Sequence, residues 1–240
     1  MSRRIVITSV AAGLLALGIA FSAFAQEPKP PAAGPGGQVK GKGGGKGGAT
    51  RPPLFFREDW KQTAAGGEHE VVPEDVSNPN LELKLYGAPA KQILVTGAAN
   101  DDNNPVHVWT GTCESVCSIA LKEKNNFVDL TGLARIKWVT KVSGIHQVHP
   151  ILKLADGTWV VGDHADGSSS DWHENEFSLS EVHWARWDVD KGMSKSNWIQ
   201  PDLSKVDEIG FTDLMAGSGH GPGGWSDVGK IEVYGKPVPR

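Results

Sequence analysis

The 240-residue chain holds only two cysteines, two tyrosines and three methionines. Two thiols alone make a poor zinc or haem signal, because structural zinc takes four ligands. No long segment repeats apolar residues at helical spacing, which argues against a helical bundle. H-E-x-x-H, the phosphate-binding P-loop and G-x-S-x-G are all missing, so the motifs of zinc proteases, nucleotide hydrolases and serine esterases are not available. No repeat of fixed period appears, which excludes propellers and solenoids. Basic charge is short as well. The chain carries a formal net charge of −4, and from Pro53 onward 17 basic residues face 27 acidic ones. An acidic domain is a poor partner for nucleic-acid phosphates.

The long apolar run is Ile5 to Phe21, behind Arg3 and Arg4 and ahead of Ala23-Phe24-Ala25. Positive start, apolar stretch and small-x-small site describe a secretory signal over residues 1–25, cut before Gln26, rather than a permanent membrane span. Ser2-Arg3-Arg4 also brushes the twin-arginine pattern, but its lead is very short, which favours export of the unfolded chain. The expected location is therefore secreted or periplasmic. Residues 26–52 carry Pro28, Pro30, Pro31, Pro35, Pro52 and a Gly-Lys tract from Lys40 to Gly48. Such a stretch buries too little apolar surface to fold and reads as a basic tether. Residues 53–240 are long enough for one core and one domain.

In that domain alternation dominates. Ala134 to Lys141 places apolar groups mainly at even positions and Arg135, Lys137 and Lys141 on the other side, as in an antiparallel sheet with one wet face. Asp156-Gly157 marks a hairpin between Val148–Ala155 and Thr158–Asp163. Further strands are expected at 81–86, 106–109, 118–121, 127–130, 174–179, 183–189, 206–214 and 229–234. Phe55, Phe56 and Trp60 are expected to cap the core, and Pro201 to Ser204 to form one helical turn. The fold class is thus all-β, an antiparallel β-sandwich or jelly roll. Cys113 and Cys117 are too far apart on a straight strand to bond. They close a disulfide only if Glu114-Ser115-Val116 turns, and otherwise remain two thiols.

Phe127-Val128-Asp129-Leu130-Thr131-Gly132-Leu133-Ala134-Arg135-Ile136-Lys137-Trp138 resembles the opening strand pair of galactose-binding-like jelly rolls. Leu203 to Phe211 and Gly229 to Gly235 are similar to their closing pair, an ending shared by family 11 carbohydrate-binding modules and the complex I intermediate-associated protein 30 group. The resemblance implies a β-sandwich of a kind that often holds a structural calcium. It departs from the family where the I-D-x-I of the last strand reads Gly229-Lys230-Ile231.

Eight of the nine tryptophans fall between Leu81 and Tyr234. Trp138 and Trp187 share a face with apolar neighbours and are expected inside; Trp184 is out of phase with them and is expected outside. Trp109, Trp172 and Trp225 stand at loops or strand ends. There an indole either stacks on the apolar C–H face of a sugar or packs at the rim. His146 and His149 open one hairpin strand, and Asp163-His164 follow its partner. Antiparallel pairing gathers those four at one end, as candidate ligand-binding, metal or acid–base groups. Asp101-Asp102-Asn103-Asn104 offers oxygens suited to calcium, or a plain polar turn. Glu174, Glu176, Asp163 and Asp171 are candidates for a glycosidase carboxylate pair. Gly217 to Gly224 reads as a loop over a ligand. The leading expectation is noncovalent binding of carbohydrate or cell-wall polysaccharide. A polysaccharide hydrolase or lyase using His146, His149, His164, Glu174 and Glu176 is the first alternative, and an envelope or adhesion domain the second.

Overall fold

The computed structural model describes residues 50–64, 67–110, 113–215 and 226–240. The expected signal, most of the tether, the glycine loop, His220 and Trp225 lie outside them. In chain order the strands are β1 (Leu54–Glu58), β2 (His69–Glu70), β3 (Leu81–Tyr86), β4 (Leu94–Thr96), β5 (His107–Trp109), β6 (Ser118–Glu123), β7 (Asn126–Asp129) and β8 (Arg135–Val142). They continue as β9 (Val148–Leu154), β10 (Trp159–Gly162), β11 (His173–Ser178), β12 (Trp184–Asp188), β13 (Met193–Ile199), β14 (Val206–Asp213), β15 (Ser226–Tyr234) and β16 (Lys236–Pro239). Among the described residues, every pairing between them is antiparallel.

Two sheets result. A seven-stranded sheet runs β11-β8-β15-β5-β4-β2, with β1 added to β15. A nine-stranded sheet runs β13-β12-β10-β9-β14-β6-β3, with β7 paired to β14 and β16 paired to β7. The fold is an all-β sandwich of antiparallel sheets. The reason is visible in β8, whose residues alternate between half-buried and buried along their whole length. Ile136, Trp138 and Val142 meet Val228, Ile231 and Val233 of β15 in one core cluster, joined from the other sheet by Leu152, Val160, Ile209 and Phe211. Apolar area removed from water in this layer is the main stabilising term.

A second apolar cluster lies apart from that core. It joins Ala120, Ile151, Trp159, Val161, Ala185, Trp187 and Val189 with Val116. Cys113 and Cys117 are bonded, with Cα atoms 6.3 Å apart, so the residues between them do turn. Gly192, at φ +60°, faces Val116 so closely that a Cβ would collide with it. The same cluster corrects the reading of β12. Trp187 is buried as expected, but Trp184 is buried too, at 3% exposure, and belongs to the sandwich core. β12 buries a tryptophan on each face because Trp184 belongs to the sandwich core, while Ala185 and Trp187 belong to the second cluster. Pro201 to Ser204 forms no helix: Leu203 and Ser204 make a plain turn. Among the described residues, no helix is long and apolar enough to cross a membrane.

Candidate functional site

The outward face of the seven-stranded sheet carries the cleft. In β5, Val108 is fully buried, so pleating sends His107 and Trp109 to the opposite side. Register then lines up residues from four strands. Leu94 pairs with Trp109, Trp109 with Asp227, and Asp227 with Lys141. Thr96 stands beside His107 in the same way. Trp172 comes from the turn ahead of β11. Its indole rests against Gly229, where a Cβ would lie 3.4 Å from the ring. Its Nε1–H donates to Asn103 O at 3.3 Å, and its ring meets His107 edge-on with centroids 4.9 Å apart. Lys141 Nζ lies 6.0 Å from the same indole. With Glu68, Thr96 and Asn104 these residues line an open cleft of about 380 Å³. Trp109 and Trp172 are both half-buried there.

The floor of the cleft is a buried imidazole. His107 is 4% exposed. Its Nδ1–H donates to Pro105 O at 2.7 Å, which leaves Nε2 facing Asp227 Oδ1 at 3.7 Å. Burial pushes the His107 pKa below the usual histidine value, outweighing the Pro105 bond, and the Lys141 charge acts in the same direction. His107 is therefore neutral at neutral pH. The cleft offers two indole surfaces, the carboxylates of Glu68 and Asp227, one ammonium, one neutral imidazole, the Thr96 hydroxyl and the Asn104 amide. Such a mixture has the chemistry to stack against apolar C–H faces and to exchange hydrogen bonds with hydroxyl groups.

The histidine–aspartate set at the other hairpin is divided by the fold. His146, 1% exposed, points Nδ1 at Asp213 Oδ2 at 2.6 Å. Ser226 Oγ also donates to that oxygen at 2.6 Å, so the hydroxyl is bonded to the carboxylate and not to the imidazole, unlike an activated serine. His149 donates Nδ1–H to Gly162 O at 3.1 Å, and burial lowers its pKa. Asp163 turns to His183, accepting from its backbone N–H at 2.9 Å and pairing with its Nδ1 at 2.8 Å. His164 stacks on Phe177 with centroids 3.7 Å apart and directs Nε2 to Asp166 at 3.3 Å. Among the described residues, no three or more His, Cys, Asp or Glu are gathered to hold a metal ion.

The remaining candidates are occupied locally. Asp101 Oδ1 accepts from the backbone N–H groups of Asn103 and Asn104, a polar turn of the kind Asp commonly makes. Glu174 is paired with Lys137 at 2.7 Å and Lys230 at 2.9 Å, bonds that hold its carboxyl below the usual range. Glu176 pairs with Arg135 at 3.1 Å. Asp171 accepts the backbone N–H of Trp172. Sequence reasoning missed His107, Lys141 and Asp227. The one usable signal was the alternation Val106-His107-Val108-Trp109, which places His107 on the face of Trp109.

No protein-family profile matches the chain, and no curated protein sequence does. Among solved structures it is similar to the family 11 carbohydrate-binding module of the cellulosomal cellulase Lic26A-Cel5E of Clostridium thermocellum, at 15% identity over 79% of this chain and 97% of that one, with a TM-score of 0.44. It is also similar to TmCBM61 in complex with beta-1,4-galactotriose, at 11% identity over 64% of this chain and 88% of that one, TM-score 0.35. A third similar structure is the Emp47p carbohydrate recognition domain, at 10% identity over 72% of this chain and 99% of that one, TM-score 0.37.

Proposed function

We propose that this chain is an exported protein that binds carbohydrate noncovalently in the Trp109–Trp172 cleft, with cell-wall or other polysaccharide as its partner. One observation carries the reading: two half-buried indoles and a ring of hydroxyl-compatible polar groups share one open cleft of about 380 Å³. Such a volume is in the range of small-molecule sites. In this reading the indoles take the C–H face of a sugar ring. Asp227 and Asn104 accept from its hydroxyls, and Lys141 donates to them. A noncovalent role also suits the carboxylates. A glycosidase acid needs a raised pKa, whereas Glu174 is held low by two lysines.

The test is retention of the purified protein on a panel of cellulose, xylan, galactan, mixed-linkage glucan and peptidoglycan. Trp172→Ala and Trp109→Ala are each expected to weaken retention about tenfold, a loss of about 1.4 kcal/mol. Unchanged retention in both variants removes the cleft from the reading. Retention only on cell wall, and only with the Lys-Gly tether present, moves the function to envelope adhesion. The export half is checked by intact mass: the mature protein is expected to begin at Gln26, and a chain still carrying Met1–Ala25 refutes it.

A further inference from the structure

Trp198 is 64% exposed, while the other tryptophans among the described residues are buried or half-buried. It lies on β13, which among the described residues is an edge strand paired with β12 in the nine-stranded sheet. A large apolar side chain on an open edge invites unwanted pairing, and proteins normally place charge or proline there.

A hydrogen-bonded polar pair, His183 and Asp163, lies beside Trp198. Trp198 sits opposite Ala185, and Ala185 opposite Val161, which puts the indole on the same side of the sheet as Val161. Two residues further along, Asp163 leaves β10 on that side as well. His183 stands between the two. Its ring meets Trp198 edge-on, with centroids 6.3 Å apart, and its Nδ1 lies 2.8 Å from Asp163 Oδ2. The His183 backbone N–H binds the other oxygen, Oδ1, at 2.9 Å. Asp163 N–H in turn donates to His183 O at 3.0 Å. The carboxylate is thus clamped at both oxygens, yet its side chain remains 39% exposed and that of His183 72% exposed. A carboxylate has about four lone-pair positions, so two stay open to solvent.

We propose that Trp198, His183 and Asp163 form a second carbohydrate contact, on the opposite sheet from the Trp109–Trp172 cleft. A pyranose ring lies on the indole, and two of its neighbouring hydroxyls donate to the Asp163 carboxylate. Burial alone would raise the Asp163 pKa, but the His183 bonds outweigh it and hold the group below its usual value, so the acceptor is charged wherever the protein is folded near neutral pH. Two contacts on opposite sheets let one molecule engage two stretches of polysaccharide at once, and retention then exceeds that of either contact alone.

Affinity electrophoresis of the full chain tests this in gels holding hydroxyethylcellulose, xylan, galactan or mixed-linkage glucan, with pull-down on insoluble peptidoglycan beside it. Trp198→Ala is expected to weaken retention about tenfold on the polysaccharide that retains the parent, and Trp198→Phe no more than about threefold, because a flat ring remains. The double variant Trp198→Ala/Trp172→Ala is expected to lose retention. Thermal unfolding should not move, since the indole is in solvent. Loss in Trp198→Ala with full retention in Trp172→Ala keeps this contact and refutes the cleft. Retention of Trp198→Ala equal to the parent overturns the inference, as does a parent retained on none of these materials. A parent dimer that Trp198→Ala converts to monomer without changing retention also overturns it, and assigns Trp198 to a second copy of the chain.

Discussion

Asp166→Ala is expected to lower the unfolding free energy by about 4 kcal/mol, the scale seen when one partner of a buried charged network is removed. Asp166 is 3% exposed and serves both sheets. Its backbone exchanges hydrogen bonds with Val148 at the start of β9, at 2.9 and 3.0 Å. Its side chain reaches the other sheet, accepting from Trp138 Nε1 at 2.7 Å and Thr140 Oγ1 at 3.0 Å on β8, and from the Asn175 amide on β11. His164 and His173 point Nε2 atoms at it from 3.3 and 3.6 Å. Alanine leaves the buried Trp138 and Thr140 donors and the half-buried Asn175 amide without that acceptor, and a buried donor without a partner costs its desolvation penalty. Asp166→Asn keeps the shape but turns an amide donor toward other donors, so an intermediate loss is expected. The pH dependence follows. Burial would raise the Asp166 pKa, but hydrogen bonds from His164, Asn175, Thr140 and Trp138 outweigh it and hold it low. With a depressed folded pKa, the contribution is present above the unfolded aspartate value of about 3.9 and is lost as pH falls through the folded one. Urea unfolding followed by tryptophan fluorescence at pH 7 and pH 3 should show a larger Asp166→Ala effect at pH 7. A loss under 1 kcal/mol at pH 7 would contradict the role of this carboxylate.

The same network shows what the sequence could and could not disclose. Alternation in 135–142 and the Asp156-Gly157 turn are local signals, and they yield β8 and the β9–β10 hairpin, with Gly157 at φ +85°. All eleven strands expected from periodicity are present within a few residues of their expected ends. Five more escaped. β2 and β4, with two and three residues, are too short to show a period. β1 opens with three consecutive apolar residues, so it has no alternation to read. In β13, Met193-Ser194-Lys195-Ser196-Asn197 carries one apolar residue in five. β16 contains Pro237 and Pro239, which suit only the margin of a sheet,. The cleft was half legible. Trp109 and Trp172 stood out as residues at strand ends, but their convergence depends on β5 lying beside β15, more than a hundred residues later in the chain. No local pattern encodes that neighbour, and so Asp227 and Lys141 could not be assigned to the cleft. Asp163 was visible as a polar residue past a strand, whereas its clamp by His183 depends on the β10–β12 pairing.

Gly97→Ala is expected to weaken polysaccharide retention at least tenfold and to destabilise the protein by about 2–4 kcal/mol, though residue 97 itself need touch no sugar. Gly97 sits at φ +84°, and a Cβ there would overlap the Pro105 carbonyl oxygen and lie 2.8 Å from Asn104 O. An L-residue in this backbone region is disfavoured by about 1–2 kcal/mol before any clash, and the colliding atoms are backbone, which cannot rotate away. The displaced carbonyls are the ones that organise the cleft. Pro105 O receives His107 Nδ1–H, Asn103 O receives Trp172 Nε1–H, and Asn104 O receives the backbone N–H of Ala98. Pushing 103–105 outward therefore moves the imidazole floor and one indole wall together, and sub-ångström placement matters to a site that recognises by shape. Gly132→Ala is the matched control. Gly132 also has positive φ, at +65°, yet a Cβ there meets nothing within 4 Å. That variant should lose about 1 kcal/mol of stability and none of its retention, measured at a temperature where both variants remain folded. If Gly97→Ala stays folded and binds as the parent does, Trp172 and His107 do not depend on this loop, and the wall of the cleft must be held by Gly229 and β15 alone.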